Sequence, residues 1–163
     1  MDSESQQRLA QLIHTQRVAA LGTLRDGAPF ISMILYAPSA DFTNYFMHVS
    51  RLAFHTQDIL KDPRVSLMIA EADAGTQNPQ LLARVSIRGE AILVQPADPE
   101  YEKIKSLYLA KFPENELNFG LGDFAIYRIQ VKNARYVAGF ARAFNLSVDD
   151  FKKAAELKGL SGF

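Results

Sequence analysis

A serine, an arginine, a histidine and a threonine fall within the seven residues Ser50-Arg51-Leu52-Ala53-Phe54-His55-Thr56. Ahead of them runs a β-rich stretch, Asn44 to Val49, and the apolar spacing that follows predicts a helix ending at Asp62-Pro63. Ser50 is then an N-cap and Arg51 lies in the first helical turn. An exposed helix start offers unpaired backbone N–H groups and the positive end of the helix dipole, and both suit an anion such as phosphate. A cation in the first turn is unfavourable for the helix alone, so Arg51 is better placed if an anion sits nearby. Leu52, Ile59 and Leu60 define an inward stripe that also carries His55 and Thr56. Polar groups on a buried face need partners, and a bound phosphate would supply them. A second reading stays open, in which Ser50 is only a cap and His55 bonds a carbonyl in the core.

The elements that position this segment follow from periodicity. Ser5 to Thr15 carries Leu9, Leu12 and Ile13 at helical spacing, so residues 1–16 form an N-terminal helix. Val18 to Leu24 and Phe30 to Tyr36 are β-rich runs joined through Asp26-Gly27, a hairpin signal because both residues tolerate positive φ. Val65 to Ala70 reads as an apolar strand without alternation, buried on both faces. Residues 71–80 read as an exposed loop. From Arg84 to Val94, Val85, Ile87, Gly89, Ala91 and Leu93 share one face and Arg84, Ser86, Arg88 and Glu90 the other. A helix from about Pro99 to Lys111 turns Tyr101, Ile104, Leu107 and Tyr108 inward. Phe124 to Val137 alternates again, and Ser147 caps a helix in a 145–163 tail. Six mostly hairpin-connected strands with flanking helices predict an α+β fold built on a six-stranded antiparallel split barrel, since closure removes exposed strand edges. No linker or repeat divides residues 1–163, so one domain is expected.

Composition removes several functions. Eighteen basic and eighteen acidic residues cancel, so no charge footprint points to nucleic acid or an anionic membrane. The absence of cysteine excludes disulfides, thiolate metal sites and cysteine nucleophiles. His14, His48 and His55 are scattered and predict no metal site. No apolar run reaches the roughly 20 residues of a membrane span, and the polar, acidic start is the reverse of a secretory leader. A cytoplasmic protein is expected. Gly120-Leu121-Gly122 precedes a strand, so it is no dinucleotide fingerprint.

The order His48-Val49-Ser50-Arg51-Leu52-Ala53-Phe54-His55-Thr56, Asp62-Pro63-Arg64-Val65-Ser66-Leu67 and Leu82-Ala83-Arg84-Val85-Ser86-Ile87-Arg88-Gly89-Glu90-Ala91 resembles the FMN-binding split-barrel family related to pyridoxamine 5′-phosphate oxidase, and most resembles its heme-utilisation branch. The resemblance covers roughly residues 12–142. It implies a homodimer with flavin sites shared at the interface. Ser32-Met33-Ile34 resembles the strand whose backbone borders the flavin ring, and His48-Val49-Ser50 the strand end beside the ribityl chain and phosphate. His55 resembles the basic phosphate ligand, and Arg84 the polar residue sent by the partner subunit. Arg84 also reads as an ordinary solvent-facing residue on an alternating strand. The chain departs from the oxidase proper, having no tryptophan and no Arg-x-His pair near its end. It departs from the heme-utilisation branch in carrying only about twenty residues after Ala143. Residues Tyr136 to Arg142 resemble that branch's segment at the end of the last strand, read either as bringing Phe140 and Arg142 toward the flavin or as a loop with a plugging aromatic.

Two function classes follow. One is an FMN-dependent oxidoreductase acting on a small molecule, with no side chain marked as proton donor or nucleophile. The other is a protein that binds heme or FMN, as a heme-degrading enzyme or as a carrier or sensor. Strands 30–36 and 44–49 are apolar on both faces, more than one small barrel interior requires, which supports a second buried surface and a two-fold dimer.

Overall fold

The computed structural model describes residues 1–157. Helix α1 (Ser3–Thr15) is capped by Asp2 and lays Leu9, Leu12 and Ile13 on the core. It is followed by the hairpin β1 (Val18–Arg25) and β2 (Ala28–Leu35), turned by Asp26 and Gly27, whose φ values of 51° and 81° suit that pair. Next come β3 (Ala37–Pro38), β4 (Asn44–Ser50), α2 (Phe54–Lys61), β5 (Arg64–Ala70), β6 (Arg84–Val94) and α3 (Tyr101–Lys111). A 3-10 segment Pro113–Gly120 leads to β7 (Phe124–Gly139), β8 (Arg142–Leu146) and α4 (Val148–Glu156). Ser147 caps α4 with a complete capping box, as its position ahead of the helix predicts. The remainder of the expected tail, 158–163, lies outside the described residues.

The strands pair in the order β2-β1-β5-β6-β7-β4-β3, with β8 added to β7. Every pairing is antiparallel. Because β3 continues β2 after the single residue Tyr36, one bent segment supplies both ends of that path and closes the barrel. The split runs between β2 and β4, which lie side by side without pairing. The six expected strands are all present; the two further ones are the short continuation β3 and the late hairpin partner β8. At the β6–β7 bulge Gly89 is obligatory, since a Cβ there would stand 2.4 Å from the Gln130 carbonyl oxygen.

The expectation for β5 is corrected. β5 alternates cleanly, with Val65, Leu67 and Ile69 buried and Arg64, Ser66 and Met68 outward, rather than being buried on both faces. Serine and methionine are tolerated there because none of the described residues covers the outer side. The outer faces of β2 and β4 also part company. α3 and the Pro113–Gly120 segment cover β4, whereas β2 leaves Ile31 and Met33 71% and 73% exposed.

Candidate functional site

The segment expected to hold an anion is arranged differently from its sequence reading. α2 starts at Phe54, not beside Ser50, and Ala53 occupies the cap without a side-chain bond. Ser50 still belongs to β4; its Oγ donates to Asp123 Oδ2 at 2.6 Å and accepts from the Leu52 N–H at 3.1 Å. A carboxylate therefore stands where a phosphate was expected. Thr56 is fully buried, but its Oγ1 donates to the Ser50 carbonyl at 2.7 Å, so the chain itself satisfies it. Leu52 and Leu60 point to solvent, and the inward face of α2 is instead Thr56, Asp58 and Ile59. The stripe shifts because the helix begins three residues later than Arg51.

β4 sends its neighbouring side chains to opposite sides. Val49 faces the core, whereas His48 faces outward and is sealed beneath α3 and the following segment. Its ring stacks on Phe119 at 3.8 Å and meets Tyr108 and Phe124 edge-on or tilted. Burial, with Lys105 nearby, pushes the His48 pKa down to about 4, so the imidazole is neutral.

At the start of α2, Arg51 is exposed and His55 is half-buried. Thr56 and Gln57 both donate their N–H to the Ala53 carbonyl, and the N–H groups of Phe54 and His55 precede any intrahelical acceptor. His55 Nε2 is enclosed without a hydrogen-bond partner. Burial lowers the His55 pKa, and the Asp58 carboxylate pulls it the other way. Asp58 is a residue that the sequence does not single out. It is 1% exposed, accepts from Thr23 Oγ1 at 3.0 Å and pairs with Arg25 at 3.1 Å. Arg25 lies 3.8 Å over the Phe54 ring, which meets Phe30 at 6.2 Å. The lock fixes α2 against the first hairpin. Its one sequence signal is an acidic residue sharing a helical face with Thr56 and Ile59.

The second feature is the uncovered outer face of β2, β1, β5 and β6. Register places Met33 beside Ala20 and Ala20 beside Met68; Ile31 neighbours Gly22, then Ser66, then Arg88. Small residues thus form a trough between an apolar ridge on β2 and a basic ridge on β6 and β7. The basic ridge holds Arg84, Arg88 and Arg135. Arg84 donates to the Leu82 carbonyl and Arg135 to Asn145, and among the described residues none of the three is ion-paired. Of the candidate residues, Met33 and Arg84 share this face, while Ser32 and Ile34 turn to its reverse. Arg84 lies three strands from β2, about 14 Å between backbones. Among the described residues no cluster of three or more histidine, aspartate or glutamate side chains could hold a bare metal ion. No described helix is long and apolar enough to cross a membrane.

A family model described as pyridoxamine 5′-phosphate oxidase matches residues 5–138. A non-canonical chloroplastic heme oxygenase, HOZ, of Arabidopsis thaliana is 38% identical over 78% of this chain and 37% of its own length. The heme oxygenase HutZ of Vibrio cholerae is 29% identical over 76% of this chain and 70% of its own. A heme binding protein from Mycobacterium smegmatis has the same fold, with TM-score 0.82 and 21% identity over 94% of this chain and 62% of that one. The chain therefore spans little more than a third of the plant relative. It belongs to the pyridoxamine 5′-phosphate oxidase family, on the heme-utilisation branch.

Proposed function

We propose that this chain binds heme on the open face of β2, β1, β5 and β6, at the interface of a two-fold dimer. One observation carries the reading: an apolar sheet face that no described residue covers, bordered by three guanidiniums without a carboxylate partner among the described residues. Heme is flat and apolar with two carboxylates on one edge. Ile31, Met33 and Met68 match its macrocycle and Arg84, Arg88 and Arg135 its carboxylates. Both curated relatives carry heme oxygenase names, which supports the same ligand class here. Bound heme would supply iron redox chemistry, and the protein the apolar shelter and the anion partners. A symmetric second copy would cover what remains of the apolar face. Whether heme is degraded or only held is a property of the assembled protein.

FMN is the second reading, favoured by the enclosed, unpartnered Nε2 of His55 beside the first-turn N–H groups. The Asp123 carboxylate bonded to Ser50 weakens it, because it repels a phosphate at that point.

Titration of the purified chain with hemin and, separately, with FMN decides between them. Saturable growth of a Soret band, lost on replacing Arg88 and Arg135 by Ala, supports the heme reading. Tight FMN uptake without a hemin response replaces it with the flavin reading. Sedimentation at micromolar concentration tests the dimer, and a monomer with and without hemin removes the shared site.

A further inference from the structure

The open face has a limited set of atoms able to ligate iron. His48 is sealed under Phe119 on the covered part of β4, and α2, which carries His55, packs on the first hairpin through Asp58, Thr23 and Arg25. His14 lies at the end of α1 against Phe42. None of the three imidazoles of one subunit stands on the outer side of its own β2, β1 and β5, and the His55→Ala variant below reads any contribution of His55 across the interface. The donor atoms there are hydroxyls, guanidiniums and two thioethers, Met33 and Met68; the one carboxylate on the adjoining β6 edge, Glu90, is held by Lys132. Guanidiniums are permanently charged and do not ligate metals, and neutral serine hydroxyls are poor ligands beside a soft thioether sulfur.

We propose that Met33 supplies an axial thioether ligand to the heme iron. The inference rests on the heme reading above. Exposure, place beside the split and distance from the basic ridge favour Met33 over Met68. It is the more exposed, 73% against 42%, and it stands on β2 beside the split, where no further strand pairs. A macrocycle lying over the small Ala20, Gly22 and Ser66 is met from below by a side chain projecting normal to the sheet, as Met33 does. The basic ridge is three strands from Met33, about 14 Å between backbones. Extended arginine side chains reach back over that gap toward carboxylates on the far edge of a ring centred on Met33. Met68 lies one strand from the ridge, so iron over Met68 would crowd the carboxylate edge against the arginine backbones.

The test reconstitutes the full chain with hemin and compares wild type with Met33→Leu, Met68→Leu and His55→Ala. Leucine keeps the volume and removes the sulfur, and an exposed site makes the change harmless to folding; thermal melts of the apo forms check this. Thioether ligation favours a low-spin iron and a raised reduction potential. The wild type is expected to be mainly low-spin, with the charge-transfer band of iron–sulfur ligation in its ferric spectrum. Met33→Leu should bind hemin at the same stoichiometry, lose that band, turn high-spin and fall in potential. Met68→Leu should keep the low-spin state and the charge-transfer band whatever its apolar contact contributes to affinity, and His55→Ala should keep both as well. An unchanged Met33→Leu spectrum overturns the proposal, as does a spin-state change confined to His55→Ala or Met68→Leu; the heme reading survives either result. A wild type that takes up no hemin removes the heme reading, and the Met33 assignment with it.

Discussion

β2 and β4 are near neighbours across the split, both apolar on two faces, yet they meet opposite fates. The outer side of β4 is packed by Ile104 and Tyr108 of α3 and by Phe119, with Phe46, Val94 and Ile126 completing the layer. The outer side of β2 has no such cover, and Ile31 and Met33 face solvent together with Val18 and Met68 of the neighbouring strands. Among the described residues, the helix between β6 and β7 covers one half of the sheet and none covers the other. Apolarity on two faces therefore marks a second surface but not its occupant: on β4 it is intramolecular, and on β2 it is the proposed ligand and a second copy.

Folding stability is the measurement that sharpens this contrast, because it should respond on the covered side only. The largest effect is expected from Phe112→Ala, which empties a fully buried site between Tyr108 and Ala37. A loss of about 3–5 kcal/mol in denaturant unfolding is expected, and a loss under 1 would mean that the cover is loosely docked.

A smaller loss is expected on acidification. His48 is held neutral by burial, with its folded pKa near 4 against an ordinary 6.5. Below 6.5 the unfolded chain takes up a proton that the folded chain refuses, so stability declines between pH 6.5 and 4 and its loss is complete below about 4. That decline amounts to about 2–3 kcal/mol, and His48→Phe should flatten it. An equal slope in the variant would assign it to other groups.

Ser50→Ala breaks the bond to Asp123 at the margin of the cover and should cost about 1 kcal/mol, leaving hemin affinity unchanged. An affinity change would return Ser50 to the ligand site.

The smallest effect on folding is expected on the open face. Gly22→Leu has room for its Cβ and fills the trough, so unfolding should shift by less than about 0.5 kcal/mol. Hemin affinity and self-association should fall together at least tenfold. Loss of folding with ligand binding intact would make the open face structural.

Much of the barrel was legible before any coordinates. The Asp26-Gly27 turn, the alternation of β6 and β7 and the Ser147 cap are local signals, each set by the conformational preference of one or two residues or by a period of two. β5 was misread because its outward Met68 is apolar, and a sequence pattern cannot tell an exposed methionine from a buried one. The helix start and its cap in the anion segment differ from the sequence pattern for a related reason. Ser50 has the chemistry of a cap, but the competing acceptor, Asp123, is 73 residues away and became a partner only through the pairing of β4 with β7.

By itself the sequence determined the alternating strands, the hairpin and the helices, and through their order the family. It also displayed the arginines of β6 on the face opposite the core, since strand geometry makes that face inevitable. Tertiary structure decided which outer faces stay bare, that Thr56 and Ser50 satisfy each other or Asp123, and that Asp58 locks α2 to the first hairpin. These are contacts between residues far apart in the chain, and their free energies depend on burial and register that no local pattern carries. They leave Arg51 and His55 at the start of α2, and Met33 with its facing arginines, as the groups still available to a ligand.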